Sequence, residues 1–102
     1  MNFEVYQDAA FRTAADSGDT QRDLLITCLG LAGEVGEVVE LVKKDIGHGR
    51  KVDLVHLQAE LGDVLWYVAD LATRYGLNLN TVAANNVAKL RARYPQGFHP
   101  QG

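Results

Sequence analysis

Apolar side chains recur every three or four positions along most of this 102-residue chain, which is the spacing of a helix with one buried side. Phe3, Tyr6, Ala10 and Thr13 form the first such run, so a helix is expected from Phe3 to about Ala15 within an N-terminal segment, 1–16. Asp16-Ser17-Gly18-Asp19 interrupts it, and Thr20-x-x-Asp23 resembles a capping box opening a long helix to about Lys44. Gly47-His48-Gly49-Arg50-Lys51 reads as a polar connection. Asp53 is then the expected N-cap of a helix from Leu54 to about Tyr75, with Gly76 at its C′ position. Asn80 caps a last helix from Thr81 to about Arg93, and Pro95, Gly97, Pro100 and Gly102 mark an irregular tail over 95–102.

The pattern predicts an all-α protein with a single domain over 1–102. The two long helices, over 21–75, form an antiparallel hairpin because their connection is short. The N-terminal helix and a basic helix over 81–94 flank that hairpin. The apolar arcs of the long helices are each wider than about 100°, more than one neighbouring helix covers. A second hairpin from another copy completes a four-helix-bundle core, so a homodimer, or a homotetramer, is expected.

Two interruptions of the apolar arcs carry the chemistry. Glu34-Val-Gly-Glu37 and Glu60-Leu-Gly-Asp63 each set two carboxylates three residues apart, on one side of a helix. At about 100° per residue, Val38 and Leu41 lie within about 40° of Glu34 on either side, and Glu60 falls between Tyr67 and Leu71. Glu34 and Glu60 therefore point inward, while Glu37 and Asp63 sit at the margins of their arcs. A buried carboxylate needs a partner, a shifted pKa or a metal. Four carboxylates without Cys or His suit a hard cation, Mg²⁺ with Mn²⁺ as substitute, which takes phosphate oxygens as remaining ligands. Gly30, Gly33 and Gly36 fall beside the acidic edge, which reads equally as close approach of another helix or a ligand or as a weakly helical stretch stabilised only by tertiary packing.

Composition narrows the partners. A net charge of -3 without a basic stripe argues against a nucleic-acid polymer, and no run approaches membrane-spanning length. The lone Cys28 excludes an internal disulfide and falls in the apolar arc as a small buried hydrophobe. The opening Met-Asn-Phe-Glu-Val lacks the features of a secretory signal, so a cytoplasmic protein is expected.

The run Gly30-Leu31-Ala32-Gly33-Glu34-Val35-Gly36-Glu37, then Glu60-Leu61-Gly62-Asp63-Val64-Leu65-Trp66-Tyr67, then Asn86-Val87-Ala88-Lys89-Leu90-Arg91-Ala92-Arg93-Tyr94-Pro95 resembles the MazG-like nucleotide pyrophosphohydrolases. The resemblance extends from about Tyr6 to about Phe98. It implies an all-α enzyme that hydrolyses nucleoside triphosphates at the α-phosphorus to a monophosphate and pyrophosphate with Mg²⁺, in nucleotide-pool house-cleaning. It also implies that Glu34, Glu37, Glu60 and Asp63 take the metal-ligand places. Many members carry a further Glu directly before the first motif, where this chain has Gly33. The general base is therefore left among the motif carboxylates, Glu37 first and Glu34 next. Asn86, Lys89 and Arg93 share one side of the last helix and look like phosphate contacts, with Lys44 and Arg50 as weaker candidates.

Tyr6 and Gln7, with Phe3, can shape a base pocket from the first helix, and Trp66 points away from the apolar arc, where it can stack on a base or close a subunit interface; packing in the core is the first reading for these residues and the base pocket the second. His56 lies four residues before Glu60 and can face the same edge, although nothing requires it as a ligand; His48 reads as solvated. A ferritin-like di-iron site is disfavoured because neither motif ends in His. The alternative to the enzyme is a non-catalytic dimeric module that binds metal or nucleotide.

Overall fold

Four Asn and Asp residues start the four helices. In the computed structural model, which describes residues 1–97, these are α1 (Phe3–Phe11), α2 (Thr20–His48), α3 (Leu54–Arg74) and α4 (Leu79–Arg93). Asn2 accepts from the Val5 N–H, Asp19 from Arg22, Asp53 from Val55 and His56, and Asn78 from Asn80 and Thr81. Each cap satisfies N–H groups that the first helical turn leaves without partners. Gly49 and Gly76, at φ 63° and 69°, supply the left-handed turns after α2 and α3. The chain is all-α: among the described residues there is no strand, only an isolated bridge between Pro95 and Gly97.

Several boundaries differ from the sequence expectation. The first helix ends at Phe11, and the following turns fold Thr13 and Ala14 back onto α1. The second begins on Asp19, because Asp23 is spent elsewhere: its carboxylate accepts the Ser17 N–H at 3.0 Å and closes the α1–α2 loop. It also runs one turn past Lys44, until Gly49 ends it. Asn78 rather than Asn80 caps α4, so that helix starts two residues early. Of the expected tail 95–102, residues 98–102 lie outside the described residues.

α2 and α3 form the hairpin, α1 packs across α3, and α4 leans on α1. Gly30 lets the hairpin close: a Cβ there would overlap the Tyr67 ring, whereas one at Gly33 or Gly36 would meet open space. Beyond this contact sits a polar clamp. The buried Asp70 carboxylate accepts from Thr27 Oγ1 at 2.8 Å and from Arg74 Nε at 3.1 Å, and Arg74 Nη2 donates to Ala15 O at 2.9 Å. Gln7 ties α1 to the α3–α4 connection, donating to Thr73 Oγ1 and Leu77 O and accepting from the Leu79 N–H at 2.7 Å.

Little apolar surface is buried inside the chain. Among the described residues, the buried hydrophobic ones are Ala10, Ala69, Ala72 and Leu79. On α2, Leu25, Cys28, Ala32, Val35, Val39, Val42 and Ile46 recur at alternating spacings of three and four, and all are exposed. On α3, Leu54, Leu57, Leu61, Val64, Val68, Leu71 and Tyr75 repeat the same spacing, half-buried to exposed. This is the seam pattern of helices that pack knobs-into-holes, and it corrects the expectation that Cys28 is buried within the chain. The chain exposes 7794 Å², against about 5,700 Å² for a folded monomer of its mass. Its radius of gyration is 16.6 Å, against about 13 Å for a globule of this length. Among the described residues no helix is long and apolar enough to cross a membrane.

Gly30→Ala should destabilise the protein by about 1–3 kcal/mol, because the Tyr67 ring must leave its place against α2. Gly33→Ala should be neutral or stabilising by up to about 1 kcal/mol, since it improves helix propensity without a clash. Urea denaturation of the two variants checks the contrast; equal effects would mean that the ring contact does not constrain the hairpin.

Candidate metal centre

Hairpin closure brings three carboxylates together. One oxygen from each of Glu34, Glu37 and Glu60 lies within 4.8 Å of the others. The i, i+3 spacing stacks Glu34 and Glu37 on one side of α2, and the antiparallel crossing fixed by Gly30 and Tyr67 sets Glu60 of α3 opposite them. Asp63, one turn further along α3, is exposed and stands outside this trio. Glu34 Oε2 and Glu60 Oε2 are both buried without a hydrogen-bond partner.

Three acids this close cannot all ionise freely. Glu34 is pushed up to about 7, first by its hydrogen bond to Glu60, then by burial and by the charges of Glu37, Glu60 and Asp63. Glu37 is also raised, chiefly by its hydrogen bond to Glu60, with the Glu60 charge and burial adding to it. Glu60 is lowered, because it accepts from Glu34 and Glu37 and is also held by His56. In the bare centre the α2 acids therefore hold a proton more readily than Glu60 does. Buried oxygens without partners and an all-carboxylate donor set fit a hard divalent cation, which would take the proton's place.

The remaining sequence candidates divide. Asn86, Lys89 and Arg93 are exposed on α4, which packs mainly on α1 rather than on the helices that hold the carboxylates. Lys44 is exposed and lies 3.8 Å from Glu40. Tyr6 lines a cavity of about 360 Å³ with Phe3, Leu65 and Asn80 among its walls. Its hydroxyl is raised by burial and then by the charge of Asp63, so it stands near the acidic edge. Two of the base-pocket candidates are engaged in packing. Gln7 is buried with its amide committed to Thr73, Leu77 and Leu79, which leaves no N–H for a base. Trp66 donates Nε1–H to Thr13 Oγ1 at 2.9 Å and stacks edge-on against Tyr67, so its ring joins α3 to α1. The sequence marks Asn80 only as a helix cap and Leu65 only as part of the second motif's run, and the α1–α3–α4 packing brings both beside Tyr6.

The proton on Glu34 sets a pH dependence. A carboxyl whose folded pKa is raised binds its proton more tightly when folded, so its contribution to stability is full below about 4.5 and is lost as pH rises toward about 7. In EDTA, wild type should lose stability between pH 5 and 8, and Glu34→Gln should flatten that slope and be the more stable of the two at pH 8. Melting curves across that range check it; parallel slopes would contradict the shared-proton account.

Comparison with known proteins agrees with this geometry. The model of the MazG nucleotide pyrophosphohydrolase domain matches residues 22–98, a span that includes both acidic motifs and all of α4. The chain is also 40% identical over 105 residues to the Gene 37 protein of Mycobacterium phage L5, covering 95% of this chain and 92% of that protein. No solved structure matches it. With both acidic motifs on facing helices and the family match spanning three quarters of its length, the chain belongs to the MazG nucleotide pyrophosphohydrolase family.

Proposed function

We propose that the protein hydrolyses ribo- or deoxynucleoside triphosphates at the α-phosphorus, giving a nucleoside monophosphate and pyrophosphate, as a cytoplasmic house-cleaning enzyme. The observation that most directly supports this reading is the trio Glu34, Glu37 and Glu60 with its two buried, partnerless oxygens, in a chain of this family. Mg²⁺, or Mn²⁺ in its place, would be held by these three, with Asp63 as a fourth ligand. When bound, such an ion polarises phosphorus and eases deprotonation of water.

The side chains do the rest. Glu37 is exposed at the mouth of the centre and its carboxyl is raised, so it is the first choice to take the proton of the attacking water, with Glu34 behind it. Asn86, Lys89 and Arg93 hold the distal phosphates and stabilise charge on the departing pyrophosphate. Lys44 adds a cation at the end of α2 nearest Glu40. Tyr6, with Phe3, offers an aromatic wall to the base.

The active form is a homo-oligomer, a dimer or a tetramer, built on the seams of α2 and α3. The surplus of about 2,000 Å² over a folded monomer exceeds the roughly 800 Å² that one partner contributes to a standard interface. Two hairpins face to face would bury both seams in a four-helix core.

Pyrophosphate release from a panel of canonical, deoxy and modified triphosphates tests the activity: Glu60→Gln should abolish it, and Lys89→Ala should slow it by about two to three orders of magnitude with the fold intact. Hydrolysis in ¹⁸O-labelled water should put the label in the monophosphate. Release from no nucleotide would leave the non-catalytic module as the better reading, and label in pyrophosphate would rule out attack at the α-phosphorus. Sedimentation equilibrium should show at least a dimer at micromolar concentration. Val39→Glu on the seam should weaken that association, and Val5→Lys on α1 should not; a wild-type monomer of 11.2 kDa would contradict it.

A further inference from the structure

Outside the carboxylate trio, Glu60 is held through one oxygen. Its Oε1 lies 3.3 Å from His56 Nε2, one turn earlier on α3, and its Oε2 is buried with no N–H or hydroxyl donor. The two side chains differ in exposure, 52% for His56 and 14% for Glu60, so the imidazole stands at the rim and the carboxylate inside. His56 is itself fixed by the start of the helix, where Asp53 Oδ1 accepts the N–H groups of Val55 and His56. The ring lines a cavity of about 320 Å³ together with Glu37, Glu40, Leu41 and Glu60.

Glu60 faces two other carboxylates across the hairpin. A long side chain in that position has rotamers that would swing its head toward water and relieve the repulsion. A donor on Oε1 opposes that movement and leaves Oε2 turned inward. Nε2 can donate in the neutral tautomer that carries its proton there and in the imidazolium, so the hold does not depend on the charge of the ring. His56 is not in the group of oxygens that share the centre, and its Nε2 is already engaged with Glu60.

We propose that His56 is a positioning residue for the metal centre: by donating Nε2–H to Glu60 Oε1, it fixes the carboxylate so that Oε2 remains a ligand. The inference rests on reading the carboxylate trio as a metal site, and it concerns a residue outside both acidic motifs. Outer hydrogen bonds of this kind orient ligands, and their loss typically costs about 10- to 100-fold in metal affinity.

Mn²⁺ titration of the nucleotide-free protein, with free Mn²⁺ read by its paramagnetic resonance signal, tests it. His56→Ala should weaken Mn²⁺ binding about 10- to 100-fold, with a melting temperature in EDTA equal to that of wild type. His56→Gln, whose amide N–H can reach Glu60 from the same turn, should recover most of the affinity. His56→Ala binding Mn²⁺ as wild type does, His56→Gln binding no better than His56→Ala, or a matching loss of stability in EDTA would each overturn the positioning role while leaving the metal centre standing. Wild type that binds no Mn²⁺ would remove the metal centre and this inference together.

Discussion

The architecture depends on forcing like charges together between two helices. Glu34 and Glu37 on α2 repel Glu60 on α3, and nothing in the trio alone holds the helices in register. The register comes from contacts further along the hairpin: the Tyr67 ring against Gly30, and beyond it the buried Asp70 with Thr27 and Arg74. Those contacts offset the repulsion, and the bare centre relieves the remainder by keeping a proton on the α2 acids. A site strained in this way has a strong affinity for positive charge, because a cation supplies directly the compensation that the protein supplies only in part.

The hairpin has two unlike faces. On the wheel the α2 seam lies about 120° or more from Glu37, and the middle of the α3 seam lies about 130° from Asp63, with Val64 and Leu71 nearer, so the apolar side and the acidic mouth look in different directions. Separating them lets an oligomer form without covering the approach to the carboxylates. Among the described residues, the buried apolar ones are three alanines and a leucine, too small to stabilise four helices by area alone. Many of the larger apolar side chains of α2 and α3 lie on the seams, the surface that a partner copy would cover.

α1 acts as a brace. Gln7, Trp66 and the Arg74 guanidinium each spend their polar atoms on tying α1 or its following loop to α3 and the α3–α4 turn. This orders Tyr6 near the acidic edge and sets the base of α4, whose cations extend from it. Side chains that look available in sequence are thus the joints of the fold.

The sequence by itself determined the helices, because spacing, Asn and Asp caps and Gly stops are local properties that need no partner. It also determined that Glu34 and Glu60 turn inward, since the direction follows from the wheel alone. Boundaries slipped where a cap had a competitor, as when Asp23 closed the Ser17 loop and Asn78 preceded Asn80. Only the tertiary structure decided that Asp63 stands outside the trio, that Gly30 meets a ring while Gly33 and Gly36 meet none, and that Gln7 and Trp66 are committed to packing. These depend on where a second helix crosses and at what height, which is set by contacts between residues dozens of positions apart, and no periodicity within one helix encodes it.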